Sequence, residues 1–102
     1  MRVLYKLPGE APRSMVIAND LHLMQQLVGG LIEPIKIADN VVLICNEEGK
    51  LLDLEPNFFI GALGDVIYGP AIVVGTKGDE FCSLADADAN LIGKILRGGF
   101  EV

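Results

Sequence analysis

The segment from Val41 to Asn57 reads VVLICNEEGKLLDLEPN and carries the strongest local pattern in the chain. Two apolar runs, Val41 to Cys45 and Leu51 to Leu54, flank a polar stretch that contains Gly49. A short connection that ends in glycine suits a type I turn followed by a residue with positive φ, which glycine adopts without steric cost. The segment therefore predicts a β-hairpin with its turn at residues 46–50.

An N-terminal hairpin and a short helix are predicted before this segment. Residues 1–7 and 13–18 have strand-like patterns, and Pro8-Gly9 between them is a typical turn dipeptide. Asn19-Asp20 can accept hydrogen bonds from the free N–H groups of a helix start. Apolar residues then recur at three- and four-residue spacing until Gly29-Gly30, which indicates a short amphipathic helix that ends there.

A strand at Leu31 to Ile37 is predicted to precede the central hairpin. Pro34 places this strand at a sheet edge or a bulge, because proline has no N–H to donate to a neighbouring strand. Asp39-Asn40 predicts a tight reversal into the next strand, since both residues tolerate left-handed backbone geometry. We therefore expect a three-stranded antiparallel meander from Leu31 to Leu54.

The second half of the chain is predicted to hold one irregular segment, one hairpin and one helix. Residues 55–69 lack a regular pattern, and binding residues concentrate in such segments. Ala71 to Gly75 predicts a buried strand, and Phe81-Cys82 is expected to pair back with it through a glycine turn. The last helix begins either at a capping box on Ser83 or later, with Asp86 or Asp88 as its cap.

These elements predict an α+β fold in one domain over residues 1–102. The fold is an antiparallel sheet of hairpins and a meander, with two short helices packed on it. The composition, 51% apolar and 22% charged, is typical of an ordered globular protein. No apolar run is long enough for a membrane span, and the N-terminus lacks a secretory pattern, so we expect a cytoplasmic protein that does not act on membranes.

The net charge of −6 is concentrated in the middle of the chain. Residues 39–88 hold ten acids against Lys50 and Lys77, whereas residues 1–38 and 89–102 each carry a charge of +1. Direct binding to nucleic acid is not expected, because it draws on clustered lysine and arginine. The acidic region either meets a basic partner or consists of solvated turn carboxylates.

Phe58-Phe59 is the most suggestive candidate for a binding site. Two adjacent aromatic residues in an irregular segment do not both bury easily on one side, so one is expected to anchor a partner or ligand, unless both rings cover the sheet edge. Four further residues are weaker candidates for binding: Asn57, Asp65, Glu47 and Glu48. Turn polarity fully explains Glu47 and Glu48. Gly61 and Gly64 could form an anion-binding nest, but a bend explains them better.

Catalytic and metal-binding patterns are not found in the sequence. His22 is the only histidine and is expected on the helix surface, without a partner for nucleophilic catalysis. For Cys45 and Cys82, two buried free thiols are favoured over a disulfide between them, and no cofactor or metal is expected. An enzyme would need three carboxylates to converge in one cleft: Asp53, Glu55 and Asp65.

Several segments resemble a small domain family of unknown function found in bacteriophages, integrative elements and gut Gram-positive bacteria. They are Leu27 to Glu33, Val41 to Leu51, Glu55 to Asn57, Gly64 to Ile67 and Gly69 to Gly75. The resemblance implies a small accessory protein of mobile DNA, and many such proteins counter host defence by binding something. It brings no catalytic residue with it.

We therefore expect a non-catalytic binding module, and three kinds of partner remain open. The acidic middle could engage a basic host protein, as a counter-defence factor. The segment 55–69, alone or across a homo-oligomer interface, could instead sequester a small signalling nucleotide. A structural or assembly subunit recognised through Phe58-Phe59 is the third alternative.

Overall fold

Strands dominate the computed structural model, which describes residues 1–61 and 63–98. In chain order the elements are β1 (Arg2–Lys6), β2 (Arg13–Val16), α1 (Leu21–Val28), β3 (Ile32–Ala38), β4 (Val41–Asn46), β5 (Pro56–Ile60), β6 (Asp65–Tyr68), β7 (Ala71–Lys77), β8 (Glu80–Cys82) and α2 (Asp86–Gly98). The predicted α+β class is confirmed, since antiparallel strands and two helices make up the fold.

The main sheet has the strand order β2-β1-β7-β4-β3, and every pairing in it is antiparallel. Strand β8 pairs with the end of β7 from Gly75 to Lys77. Strands β5 and β6 form a separate two-stranded sheet. Residues of α1 pack on one face of the main sheet, while α2 and the β5–β6 sheet pack on the other, so the main sheet is covered on both sides.

Strand β7 lies at the centre because its residues are buried on both faces. Ile72 and Val74 contact the α1 side, whereas Ala71 and Val73 contact the α2 side. This alternation follows from the two-residue period of a strand. A continuous apolar run suits a strand that is covered on both faces, and the sequence of β7 has that composition.

The first hairpin and helix are confirmed. Strands β1 and β2 pair from Arg2 opposite Val16. Asp20 caps α1, since its carboxylate accepts a hydrogen bond from the backbone N–H of His22 at 3.0 Å. Gly29 follows the helix with φ of 80°, the left-handed conformation that glycine adopts most readily.

The predicted edge strand and its reversal are confirmed as well. Strand β3, which contains Pro34, is the last strand of the main sheet. Asn40 has φ of 60° in the turn that leads into β4. The pairing of β3 with β4 therefore provides two strands of the expected meander.

The third strand of that meander, and with it the predicted hairpin from Val41 to Asn57, is wrong. Residues 47–53 form consecutive turns, so the run from Leu51 to Leu54 is not a strand. The second partner of β4 is β7, with Ile44 opposite Ile72. The apolar sequence of β7 allows it to be buried on both faces. The run from Leu51 to Leu54 is nearer to β4 in the sequence, but it is interrupted by Asp53.

The predicted role of Gly49 is also wrong. The positive φ in this turn region belongs to Asp53, at 55°. Glycine is needed at position 49 for space, because an added Cβ would lie 2.6 Å from the backbone carbonyl oxygen of Tyr68.

Residues 55–69 were predicted to be irregular, and this prediction is wrong. The β5–β6 hairpin occupies most of the segment, with Phe58 opposite Ile67 and Ile60 opposite Asp65. Gly61 and Gly64 lie in its turn, where Gly64 has φ of 62°. Gly61 and Gly64 before β6 and Gly69 after it interrupt the apolar pattern, so hydrophobic periodicity does not reveal the strands.

The last helix starts later than a capping box on Ser83 would place it, so the later of the two predicted starts is confirmed. Helix α2 begins at Asp86, and the N–H of Ala89 donates to the carbonyl of Ala85 at 2.9 Å. Ser83 does not form a capping box, because its hydroxyl oxygen accepts a hydrogen bond from the backbone N–H of Arg2 at 2.9 Å. Neither described helix is long and apolar enough to cross a membrane.

Candidate binding site

A cleft of about 410 Å³ opens where the end of β4 meets β3 and β6. We call it the acidic cleft, because its four charged residues are Glu33, Glu47, Lys50 and Asp65. Three carboxylates against one ammonium group give it a formal charge of −2. The acidic cleft therefore concentrates negative charge in a concave surface, where low-dielectric walls strengthen the field.

Asn46 holds the turn that carries Glu47 into the acidic cleft. Its buried amide nitrogen donates to the carbonyl oxygen of Val28 at 3.1 Å, which ties the end of β4 to the end of α1. Its amide oxygen accepts a hydrogen bond from the N–H of Glu48 at 2.8 Å. Because these two bonds fix the chain as it leaves the sheet, the position of Glu47 is set by the core.

Lys50 and Asp65 form an ion pair across the acidic cleft. The ammonium nitrogen lies 2.5 Å from a carboxylate oxygen of Asp65 and 5.9 Å from the centre of the Tyr68 ring. The hydrogen bond from Lys50, together with one from the N–H of Val66, lowers the pKa of Asp65. The same bond raises the pKa of Lys50. The single ammonium group of the cleft is therefore already engaged.

Cys45 lies in the wall of the acidic cleft as a buried thiol. Burial raises its pKa from 9.0 to about 11, and the nearby carboxylates Glu33 and Asp65 act in the same direction. The thiol is therefore protonated near neutral pH and is not an activated nucleophile. Cys45 and Cys82 are both free, as predicted.

Three exposed leucines accompany the acidic cleft. Leu63 lines it and is 50% exposed, while Leu51 and Leu52 directly follow Lys50 in the chain and are 84% and 53% exposed. We call these residues the leucine rim. Large apolar side chains beside a concave surface are typical of protein interaction sites.

The predicted aromatic pair does not form an exposed surface. Phe58 is 2% exposed and belongs to the core between the sheet and α2. Phe59 is half-buried on β5, opposite Val66. The two rings point to opposite faces of one strand, as the strand geometry requires.

Asn57 is buried and ties β5 to the main sheet. Its amide nitrogen donates to the carbonyl oxygens of Lys6 and Gly69, each at 2.8 Å. Its amide oxygen accepts a hydrogen bond from the ammonium group of Lys6 at 2.9 Å. Burial lowers the pKa of Lys6. These bonds use the side chain of Asn57 internally.

The three carboxylates that an enzyme would require are not gathered in one cleft. Asp53, Glu55 and Asp65 are all exposed, and only Asp65 lines the acidic cleft. His22 is exposed on α1, as predicted. Within residues 1–61 and 63–98, no group of three or more potential metal-ligating side chains is arranged to hold a metal ion.

Comparison with known families matches almost the whole chain. A domain of unknown function, DUF3846, matches residues 1–97. The chain belongs to the DUF3846 family. Searches of curated proteins and of solved structures each found no similar protein. The resemblance to a family of unknown function is thus confirmed, while the phage or mobile-element origin that it implied stays a prediction.

In this DUF3846 chain the sequence identified part of the acidic cleft and missed the rest. Glu47 and Asp65, two of the predicted candidates, line it, and Glu48 is exposed next to Glu47. Glu33 was missed because it lies outside the acidic middle and reaches the cleft through the pairing of β3 with β4. Leu51 and Leu52 of the leucine rim were missed because their apolar run resembled a strand.

Proposed function

We propose that this DUF3846 protein is a non-catalytic binding module that holds a basic, amphipathic segment of a partner protein. The observation that carries the proposal is the combination of the acidic cleft with the leucine rim. Carboxylates attract lysine and arginine side chains, and the exposed leucines provide apolar area that a partner can bury. A segment with basic and apolar residues satisfies both.

The charge of the acidic cleft favours a cationic partner over a nucleotide. Its carboxylates Glu33 and Glu47 have no ion pair within the described residues, and its ammonium group is bonded to Asp65. A phosphate placed here would be repelled by these groups. The sequestration of a signalling nucleotide in this cleft is therefore the weaker alternative.

The identity of the partner follows from the family context alone. The resemblance to domains of bacteriophages and integrative elements supports a host protein as the partner, and counter-defence by occupancy as the role. A structural or assembly role would use the same surface with a protein of the mobile element. A host partner would be present in lysate of the host alone, whereas an assembly partner would be present only in lysate that also contains the proteins of the mobile element.

The proposal is tested by capture of partners with charge-reversed variants. The immobilised full chain is compared with a Glu33→Lys/Glu47→Lys variant, using lysate of the bacterium that carries the protein. A matched control, Asp79→Lys/Glu80→Lys, makes the same charge change at exposed residues outside the cleft. We expect the wild-type chain and the control to capture the same protein, and the cleft variant to lose it.

Salt and the leucine rim provide two further readouts for the captured protein. Raising the salt from about 0.05 to 0.3 M should weaken the complex, because exposed charges are screened over about a Debye length. Leu51→Ser/Leu52→Ser should weaken it at least about tenfold, since the loss of buried apolar area on two side chains exceeds 1.4 kcal/mol. Capture that is equally strong in high salt and in the cleft variant would contradict the proposal.

A further inference from the structure

A second cavity, of about 260 Å³, lies between α2 and the β1–β2 hairpin. We call it the basic groove, and its polar lining comprises Arg2, Ser14, Asn90, Lys94 and Arg97. It opens on the same face of the main sheet as the acidic cleft, because α2 and the β5–β6 sheet both pack there. The two sites lie towards opposite edges of the sheet, with β7 between them.

The basic groove is positively charged, although the chain as a whole is negatively charged. Three cations line it, and the carboxylate beside them is Asp86, which pairs with Arg2. Among residues 1–61 and 63–98, these four groups give a local charge of +2 in a chain of −6. Lys94 and Arg97 of α2 supply this excess, since Arg2 from the other end of the chain is balanced by Asp86.

Arg2 is held in place before any ligand arrives. Its backbone N–H donates to the hydroxyl oxygen of Ser83 at 2.9 Å, and its guanidinium group donates to Asp86. A guanidinium group has five N–H donors in a planar fork, so the pair with Asp86 leaves donors free. Ser14 and Asn90 add uncharged hydrogen-bonding groups to the same groove.

Gly93 contributes open space to the basic groove. It lies inside α2, where glycine is a poor helix former. An added Cβ would meet only Leu4, at an ordinary contact distance of 4.0 Å, so the packing on the sheet does not require glycine. Because the buried Gly93 lines the basic groove, its missing side chain leaves the groove wider at this point.

We propose that the basic groove binds the phosphate group of a small ligand, either inorganic phosphate or a phosphate monoester. The forked donors of Arg2 and Arg97 match the geometry of phosphate oxygens, and Lys94 adds a point charge. The small volume and the acidic remainder of the chain disfavour a nucleic-acid polymer, which needs an extended basic surface. This site shares no residue with the acidic cleft, so it goes beyond the proposed function and fails or succeeds separately from it.

Calorimetric titration of the full chain tests the proposal, with inorganic phosphate, adenosine 5′-monophosphate and adenosine as probes at constant ionic strength. We expect phosphate or the monophosphate to bind with a Kd below about 1 mM, and adenosine not to bind. Equal affinity for the two anions assigns the site to the phosphate group alone, and tighter binding of the monophosphate assigns it to an ester. Absence of binding by both anions, or equal binding of adenosine, would overturn the proposal.

Variants connect the binding to the basic groove. Lys94→Gln/Arg97→Gln, at exposed positions, should retain the fold by circular dichroism and lose affinity at least about tenfold, because two charge-assisted contacts are removed. Lys36→Gln/Lys77→Gln, at two exposed lysines outside the groove, removes the same charge as the matched control and should bind as the wild type does. Unchanged affinity in the double variant would overturn the assignment.

Gly93→Ala separates a ligand site from a merely structural glycine. The variant should melt a few degrees higher, because alanine favours the helix and fits beside Leu4. Its affinity for the anion should fall several-fold, since the methyl group occupies the opening of the basic groove. A higher melting temperature with undiminished affinity would contradict the role given to Gly93.

Discussion

The acidic cleft and the basic groove occupy the same face of one sheet, yet they are assembled in different ways. The acidic cleft is built mostly from residues near one another in the sequence, on the β4 end, the following turn and β6. The basic groove joins the chain ends, and the paired residues Arg2 and Asp86 are 84 positions apart. The net charge of −6 therefore does not predict the charge of each site, because folding decides which charged residues lie together.

The glycines of the two sites also differ in the space around them. Gly49 in the acidic cleft has no room for a methyl group, since the Tyr68 carbonyl lies too close. Gly93 in the basic groove has that room. The first glycine is required by the fold, while the second is tolerated by it.

Loss of the Asn57 side chain should destabilise the fold that carries both sites and give the largest effect. Asn57→Ala removes three buried hydrogen bonds and leaves the ammonium group of Lys6 without that partner, so unfolding should become easier by about 3–4 kcal/mol. Chemical denaturation measures the change. Asn90→Ala, the same substitution on the exposed face of α2, is the control and should change stability by less than about 0.5 kcal/mol. Similar effects of the two variants would show that the bonds of Asn57 contribute little.

A methyl group at position 49 should damage the acidic cleft alone. Gly49→Ala places Cβ 2.6 Å from a backbone oxygen, so the turn must shift, at a cost of about 2–3 kcal/mol. Denaturation of Gly49→Ala beside Gly93→Ala measures the difference between the two glycines, and the two variants should change stability in opposite directions. If both stabilise the chain, the contact between Gly49 and Tyr68 is not a constraint.

The Cys45 thiol should make the acidic-cleft side sensitive to alkali. Because its pKa is raised from 9.0 to about 11, the folded chain keeps a proton that the unfolded chain loses. Its stabilisation is therefore complete below pH 9 and falls as the pH rises towards 11, by about 2 kcal/mol. Denaturation at several pH values, compared with Cys45→Val, isolates this contribution, because the shifted groups Tyr5 and Lys6 are common to both chains. Parallel pH profiles would contradict it.

Local signals in the sequence predicted the local parts of the fold. Asp20 and Gly29 mark the ends of α1 through their own side-chain and backbone properties. Pro34 identifies an edge strand, because proline has no N–H to donate to a second neighbouring strand. The acidic candidates Glu47 and Asp65 followed from their places in a polar turn and in the segment 55–69, and the fold places both in one cleft.

The wrong predictions concern segments whose structure depends on which distant segment of the chain they pack against. The run from Leu51 to Leu54 and the run in β7 both look like strands beside β4, and only β7 is apolar on both faces. Phe58 looked like an anchor for a partner until the β5–β6 hairpin placed it in the core.

The sequence by itself determined the α+β class, the ends of α1, the reversals at Pro8-Gly9 and Asp39-Asn40, and the excess of negative charge. These depend on the conformational preferences and the charges of individual residues. Only the tertiary structure decided which strand lies beside β4, which leucines stay exposed, and that Arg2, Lys94 and Arg97 meet in one groove. The physical reason is that burial and close approach are properties of pairs of surfaces, and distant segments compete for them only when the whole chain has folded.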